Sequence, residues 1–134
     1  MNKAKVDQYI PAAYDALKDA GIVQDGKIDS GFRGQIATFG AAVSMGSLLS
    51  AIAFFSEKDK SAVDRVKLLD ALFRVLKSNG VDGNYQNLYQ YAAAHPGCQE
   101  EVLNAAIALK LAINLYPKRD KDAKQERDKG AKQE

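Results

Sequence analysis

The chain has 134 residues, of which 46% are apolar and 27% charged, and its formal net charge at pH 7 is +2. This length and composition predict one globular domain with a single hydrophobic core. A lone cysteine, Cys98, excludes an intrachain disulfide framework, and the first residues lack the apolar run of a secretory signal, so we expect a cytoplasmic protein.

Helical periodicity runs along most of the chain, and the alternation typical of strands is nearly absent. The first apolar stripe contains Pro11, which predicts a helix that begins near Tyr9 or is kinked there. This helix is expected to end near Gly21. Residues 23–29 contain an Asp-Gly pair and are predicted to be a loop.

A second helix is expected to begin after Asp29 or Ser30, because either side chain is of a type that caps helices. It is predicted to run to about Met45. Gly46-Ser47 then interrupts the apolar run, and a short, almost wholly apolar helix follows over 48–57.

Residues 34–56 contain no charged side chain and form the longest uncharged stretch of the chain. The stretch is long enough to span a bilayer, so a transmembrane helix is one interpretation. Its glutamine, threonine, serine and glycine residues lower its hydrophobicity and break its helix. Two consecutive soluble helices that pack through small residues are therefore the preferred interpretation, and no membrane partner is expected.

The next helix is predicted from a capping pattern and an apolar stripe. Ser61, with Asp64 three residues later, resembles a capping box, and the stripe that follows ends at Asn79-Gly80. Asn84 is expected to cap a shorter helix that runs to about Ala94.

The last helix is apolar on nearly every side, to about Leu115, with Glu100 and Glu101 in its first turn. It is either the central helix of a bundle or part of a second interface. After Pro117, residues 118–134 have no apolar side chain larger than alanine, which predicts a charged, flexible tail over 117–134. The sequence thus predicts an all-α, compact bundle of about five to six helices, with a single domain over 1–116.

His95 and Cys98 form the one pair with metal-ligand residue types at short spacing. A zinc site needs three or four protein ligands, and the sequence holds no second pair, so a Pro-Gly turn flanked by these residues is the preferred interpretation. The same shortage argues against a Cys–His nucleophile, and no phosphate-binding loop or zinc-protease motif is present. We therefore expect no catalytic activity, metal, cofactor or small-molecule substrate.

Basic residues recur along the helix predicted after residue 61. Because Asp70 is placed to pair with Arg74, the spacing alone favours a solvated face with intrahelical ion pairs over a phosphate-binding surface. Tyr85, Tyr89 and Tyr91 offer rings for base stacking, but their helical spacing is more typical of core residues. The basic line, as we call it, consists of Lys58, Lys60, Arg65, Lys67, Arg74 and Lys77.

The uncharged stretch also carries a family resemblance. Three segments carry it: Thr38-Phe39-Gly40-Ala41-Ala42-Val43, Gly46-Ser47-Leu48-Leu49 and Ala51-Ile52-Ala53-Phe54-Phe55-Ser56. In these segments the chain resembles the small helical subunit of type III-B CRISPR effector complexes, the Cmr small-subunit family. The resemblance extends to the opening Ile10-Pro11-Ala12-Ala13-Tyr14 and to the Gly26-Lys27-Ile28 loop. At the helix break the family tends to place glycine directly before leucine, whereas Ser47 takes that place here.

This resemblance implies a compact, non-catalytic subunit that stacks in several copies within an RNA-guided, RNA-targeting complex of antiviral defence. The implied partners are the other subunits of the complex, further copies of itself, the guide RNA and the target RNA. Carried onto this chain, the basic line becomes the surface that contacts the RNA backbone, with Arg33 and Lys110 as weaker candidates. The alternative hypothesis is a helical adaptor or homo-oligomeric scaffold that binds only protein, which the apolar last helix favours.

Overall fold

The computed structural model describes residues 1–57, 64–81 and 83–119, and it confirms the predicted all-α bundle. Lys58 and Lys60 of the basic line lie outside the described residues. Within the described residues, six helices and one short hairpin follow each other in the order α1 (Lys3–Asp19), β1 (Val23–Gln24), β2 (Lys27–Ile28), α2 (Gly31–Met45), α3 (Leu48–Phe55), α4 (Arg65–Ser78), α5 (Leu88–Ala94) and α6 (Gln99–Ile113).

Helix α6 lies at the centre of the bundle and packs against α1, α2 and α4. Its core side chains alternate between small and large, so Ala105 and Ala108 let neighbouring helices approach while Val102 and Leu109 fill the space between them. All four are fully buried. The interpretation of the last helix as the central one is confirmed, and burial explains most of its apolar surface, although Leu111 is 44% exposed.

Helix α1 begins at Lys3 and runs through Pro11, so of the two predicted alternatives the start near Tyr9 was wrong. The side chain of Asn2 caps it by accepting a hydrogen bond from the backbone N–H of Lys5 at 3.1 Å. Pro11 lies inside the helix, where it leaves the carbonyl of Asp7 without its usual partner. Both residues are exposed, so water can satisfy that carbonyl, and the buried side of α1 keeps its packing.

The segment predicted as a loop forms a two-residue hairpin in which Val23 pairs with Ile28. Asp25 and Gly26, which join the strands, have φ values of 55° and 73°. Two successive positive φ values define the tight turn that suits the twist of a hairpin, and Asp-Gly is among the pairs that favour it. The loop prediction was wrong because strands of two residues are too short to show alternation.

The chain that follows α6 adds to this hairpin. Ile28 donates its N–H to the carbonyl of Pro117 at 2.9 Å, and Arg119 donates its N–H to the carbonyl of Ile28 at 3.0 Å. The first residues of the predicted tail, 117–119, are therefore held by backbone hydrogen bonds. Residues 120–134 of that tail lie outside the described residues.

Two helix starts differ from the predictions. Helix α4 begins at Arg65 and is capped by Asp64, which accepts the N–H of Val66 at 3.0 Å; the rest of the predicted capping box, at Ser61, lies outside the described residues. Asn87 caps α5, so the prediction of Asn84 as its cap was wrong. The two asparagines are three residues apart, and the sequence alone does not distinguish their capping potential.

The break between α2 and α3 explains the order of Gly46 and Ser47. A side-chain carbon at Gly46 would lie 3.1 Å from the carbonyl oxygen of Ala42, which is a tight contact. Ser47 caps α3, because its hydroxyl accepts the N–H of Ser50 at 3.1 Å. The glycine therefore belongs at the end of α2, and the residue directly before Leu48 serves best as a capping serine.

Candidate nucleic-acid interface

Three residues of the basic line share one side of α4. Lys67 and Arg74 are separated by seven residues and differ by about 20° around the helix axis, and Lys77 lies about 60° further round. Along the axis the three cover about 15 Å. The opposite, apolar side of α4 is buried against α1 and α6. The basic side chains therefore lie where a ligand outside the bundle can reach them.

Arg65 does not belong to this group. It is two residues from Lys67 and so lies about 160° away around α4. Its Nε donates a hydrogen bond to Oε1 of Gln35 at 2.8 Å. Its guanidinium carbon also lies 5.2 and 5.0 Å from the ring centroids of Phe54 and Phe55. These contacts join α4 to α2 and α3, which indicates a structural role for Arg65.

Lys67 contacts the loop that follows α1. Its Nζ lies 3.4 Å from the carbonyl oxygen of Gly21, at the long limit for a hydrogen bond. The residue as a whole is half-buried. Lys67 can therefore keep its contact with Gly21 or turn toward an anion, since a long bond of this kind stabilises little.

Arg74 forms the ion pair predicted from the spacing. Its Nε lies 3.0 Å from Oδ2 of Asp70, and the two side chains are 40% and 44% exposed. An exposed pair of this type on a helix contributes about 0.3–0.5 kcal/mol. Lys77, which is exposed, has its Nζ 4.9 Å above the ring of Phe73. None of these contacts is strong enough to prevent a phosphate from binding.

Acidic residues of α1 lie beside this surface and make its charge mixed. Asp15 and Asp19 line a shallow cavity of about 150 Å³ together with Arg74 and Lys77. They lower the positive potential that a phosphate would meet there. Each phosphate contact is therefore expected to be weak, and useful affinity requires several contacts at once.

His95 and Cys98 do not form a metal or nucleophile site with each other. His95 Nε2 lies 3.0 Å from the hydroxyl of Tyr85, and Cys98 is buried. Burial and the nearby Glu101 raise the pKa of the Cys98 thiol, which favours the unreactive protonated form. Within the described ranges, no group of three or more His, Cys, Asp and Glu side chains is arranged to hold a metal ion.

The tyrosines expected in the core divide into two kinds. Tyr91 is buried and its ring packs against that of Tyr85 with centroids 5.7 Å apart, whereas Tyr89 is exposed. Sequence reasoning missed that Tyr85 and Tyr91 join His95 and Glu101 at one cavity. No spacing pattern indicates this group, because its members come from the loop before α5, from α5, from the turn after it and from α6.

Comparisons of the chain with protein-family models, with curated proteins and with solved structures find no match. In the part of the chain that the structure describes, no helix is both long and apolar enough to cross a membrane.

Proposed function

We propose that the chain is a non-catalytic small subunit of a type III-B CRISPR effector complex, which stacks in several copies and contacts the backbone of the guide–target RNA in antiviral defence. The observation that carries the proposal is the shared, accessible side of Lys67, Arg74 and Lys77 on α4. The resemblance of residues 38–56 to the family supports it. This segment forms the α2–α3 pair and its capped break.

In this proposal the subunit binds phosphates and not bases. A phosphate replaces Asp70 as the partner of Arg74, which exchanges one exposed charge-assisted hydrogen bond for another and therefore costs little. Contacts of this kind carry no sequence information, as a complex that accepts any target requires. Three contacts predict a slope of about −2 to −3 for the logarithm of affinity against the logarithm of salt concentration. Aligned copies multiply the effect.

Charge reversal tests the proposal. The double variant Lys67→Glu, Arg74→Glu should lose binding to a labelled RNA duplex, measured by fluorescence polarisation at low salt, while its circular dichroism spectrum stays unchanged. Lys3→Glu with Lys5→Glu is a matched control, because it makes the same change of charge on exposed residues of α1. Equal losses in the two double variants would show bulk attraction only, and no loss in the first would refute the α4 surface.

A protein-only adaptor or homo-oligomeric scaffold is the second candidate, and exposed apolar side chains of α2 and α3 favour it. Met45 is 88% and Phe54 52% exposed, and Leu49 is also exposed. Exposed apolar groups of this size often mark protein interfaces. Under this candidate, Leu49→Glu should shift the sedimentation coefficient of the assembly, and charge reversal on α4 should change nothing.

A further inference from the structure

Two shallow cavities meet at the carboxylate of Glu101, on the side of the bundle where α1, α4 and α6 have their ends. One cavity, of about 500 Å³, extends past Tyr9 and Asn104. The other, of about 410 Å³, extends past Tyr85, Tyr91 and His95. Glu101 lines both, so any group that enters either cavity meets its charge.

Glu101 has no cationic partner among the described residues. Its Oε2 accepts a hydrogen bond from the hydroxyl of Tyr91 at 3.0 Å, which leaves the other oxygen available. The side chain is half-buried. Burial, together with the charge of Glu101, raises the pKa of Tyr9 and of Tyr91, so both phenols stay neutral. Lys5 and Glu100 line the larger cavity together with Glu101, so the charged side chains there leave a net negative charge.

Aromatic rings form one wall of the cavity beside Glu101. The ring centroids of Tyr91 and His95 are 4.8 Å apart, and that of Tyr85 lies 5.7 and 5.6 Å from them. Asn79, the C-cap of α4, and Gly80 after it also line this cavity, and the C-terminal end of a helix carries partial negative charge. Aromatic faces, a carboxylate and a helix C-terminus all attract a cation.

We propose that the cavity formed by Tyr85, Tyr91, His95 and Glu101 binds a guanidinium group. A guanidinium is planar, so it stacks on an aromatic ring while its N–H groups donate to the carboxylate. An ammonium is compact and strongly hydrated and gains less from the same wall. The site is independent of the phosphate-binding surface proposed on α4. Its ligand is either an arginine side chain of a protein or a free guanidinium compound.

Isotope-labelled full-length protein, titrated with N-acetyl-arginine amide, methylguanidinium and N-acetyl-lysine amide and followed by amide NMR, tests the site. We expect saturable shifts at Gly80, Val81 and Glu101, with a Kd on the order of millimolar for a ligand of this size. Glu101→Gln should weaken binding by about 10-fold or more, the loss that corresponds to one charge-assisted contact. Glu100→Gln, an exposed change in the same helical turn, should leave it within about 2-fold.

The outcomes separate the two sources of ligand. Tighter binding of capped arginine than of methylguanidinium supports the site and assigns it to a protein side chain, whereas equal or weaker binding supports it and assigns it to a free guanidinium compound. Capped lysine binding as tightly as capped arginine would overturn the assignment to guanidinium. Absence of saturable shifts, or unchanged affinity in Glu101→Gln, would overturn the site. Lys67→Glu with Arg74→Glu should leave the titration unchanged, which separates this proposal from the RNA surface.

Discussion

Replacing Phe55 by alanine tests which side of α3 faces the core. Phe55 is fully buried, and its ring lies edge-on to that of Phe39 with centroids 5.2 Å apart. The neighbouring Phe54 is 52% exposed. Replacing a fully buried phenylalanine by alanine costs about 3–5 kcal/mol of stability. Phe54 buries only about half of its side chain, so its replacement by alanine is expected to cost about 1 kcal/mol. Arg65 lies over both rings, so its contribution largely cancels in the comparison.

Urea denaturation followed by circular dichroism measures the free energy of unfolding of each variant. The free energy of unfolding of a protein domain is typically about 5–15 kcal/mol, and Phe55→Ala should lose a large part of it. The melting temperature of this variant should fall by roughly 10–20 °C. Phe54→Ala should lose about 1 kcal/mol, with an unchanged dependence on urea. Equal losses in the two variants, or a larger loss in Phe54→Ala, would refute the assigned orientation of α3.

Two further predictions concern a helix cap and an ionisable side chain. Asp64→Ala should lower the free energy of unfolding by about 1 kcal/mol in urea denaturation, because it removes the cap of α4, and Asp64→Asn should retain most of it. Burial, together with neighbouring Tyr14, raises the pKa of Tyr116 to about 12 from its ordinary 10, since its hydroxyl donates to the carbonyl of Tyr14 at 2.7 Å. Stabilisation by the neutral phenol is therefore complete below pH 10 and is lost as the pH rises toward 12. Between pH 10 and 12, the free energy of unfolding should therefore fall less in Tyr116→Phe than in the unsubstituted protein. An identical fall in the two proteins would refute this prediction.

Long apolar patterns made most of the fold predictable. The stripe of α4 and the all-round apolar surface of α6 indicate burial directly, and Glu100 and Glu101 mark where α6 begins. The hairpin after α1 was missed because two-residue strands carry no periodicity, although Asp25-Gly26 is a pair that favours a hairpin turn. Pro11 misled for a different reason, since tertiary packing maintains a helix that local preference would interrupt.

The candidate sites were less predictable than the fold. Spacing placed Lys67 and Arg74 on one side of α4 correctly, because a helix fixes that relation. The same spacing places Arg65 about 160° from Lys67, so its inclusion in the basic line did not follow from helix geometry. Its partners on α2 and α3 could not be predicted, because only the fold brings those helices beside α4. Nor did the spacing indicate the cavity at Glu101, whose walls come from the residues after α4, the loop before α5, α5 itself, the turn after it and α6.

Purification of the tagged protein from its native cells, with sizing and end-labelling of any nucleic acid that accompanies it, tests the central proposal most directly. Our account predicts a large particle that contains short, uniform RNAs. The Lys67→Glu, Arg74→Glu variant should assemble into the particle but hold target RNA more weakly as salt is raised. Recovery of a protein free of nucleic acid, alone or with other proteins, would contradict the proposal and favour the protein-only scaffold.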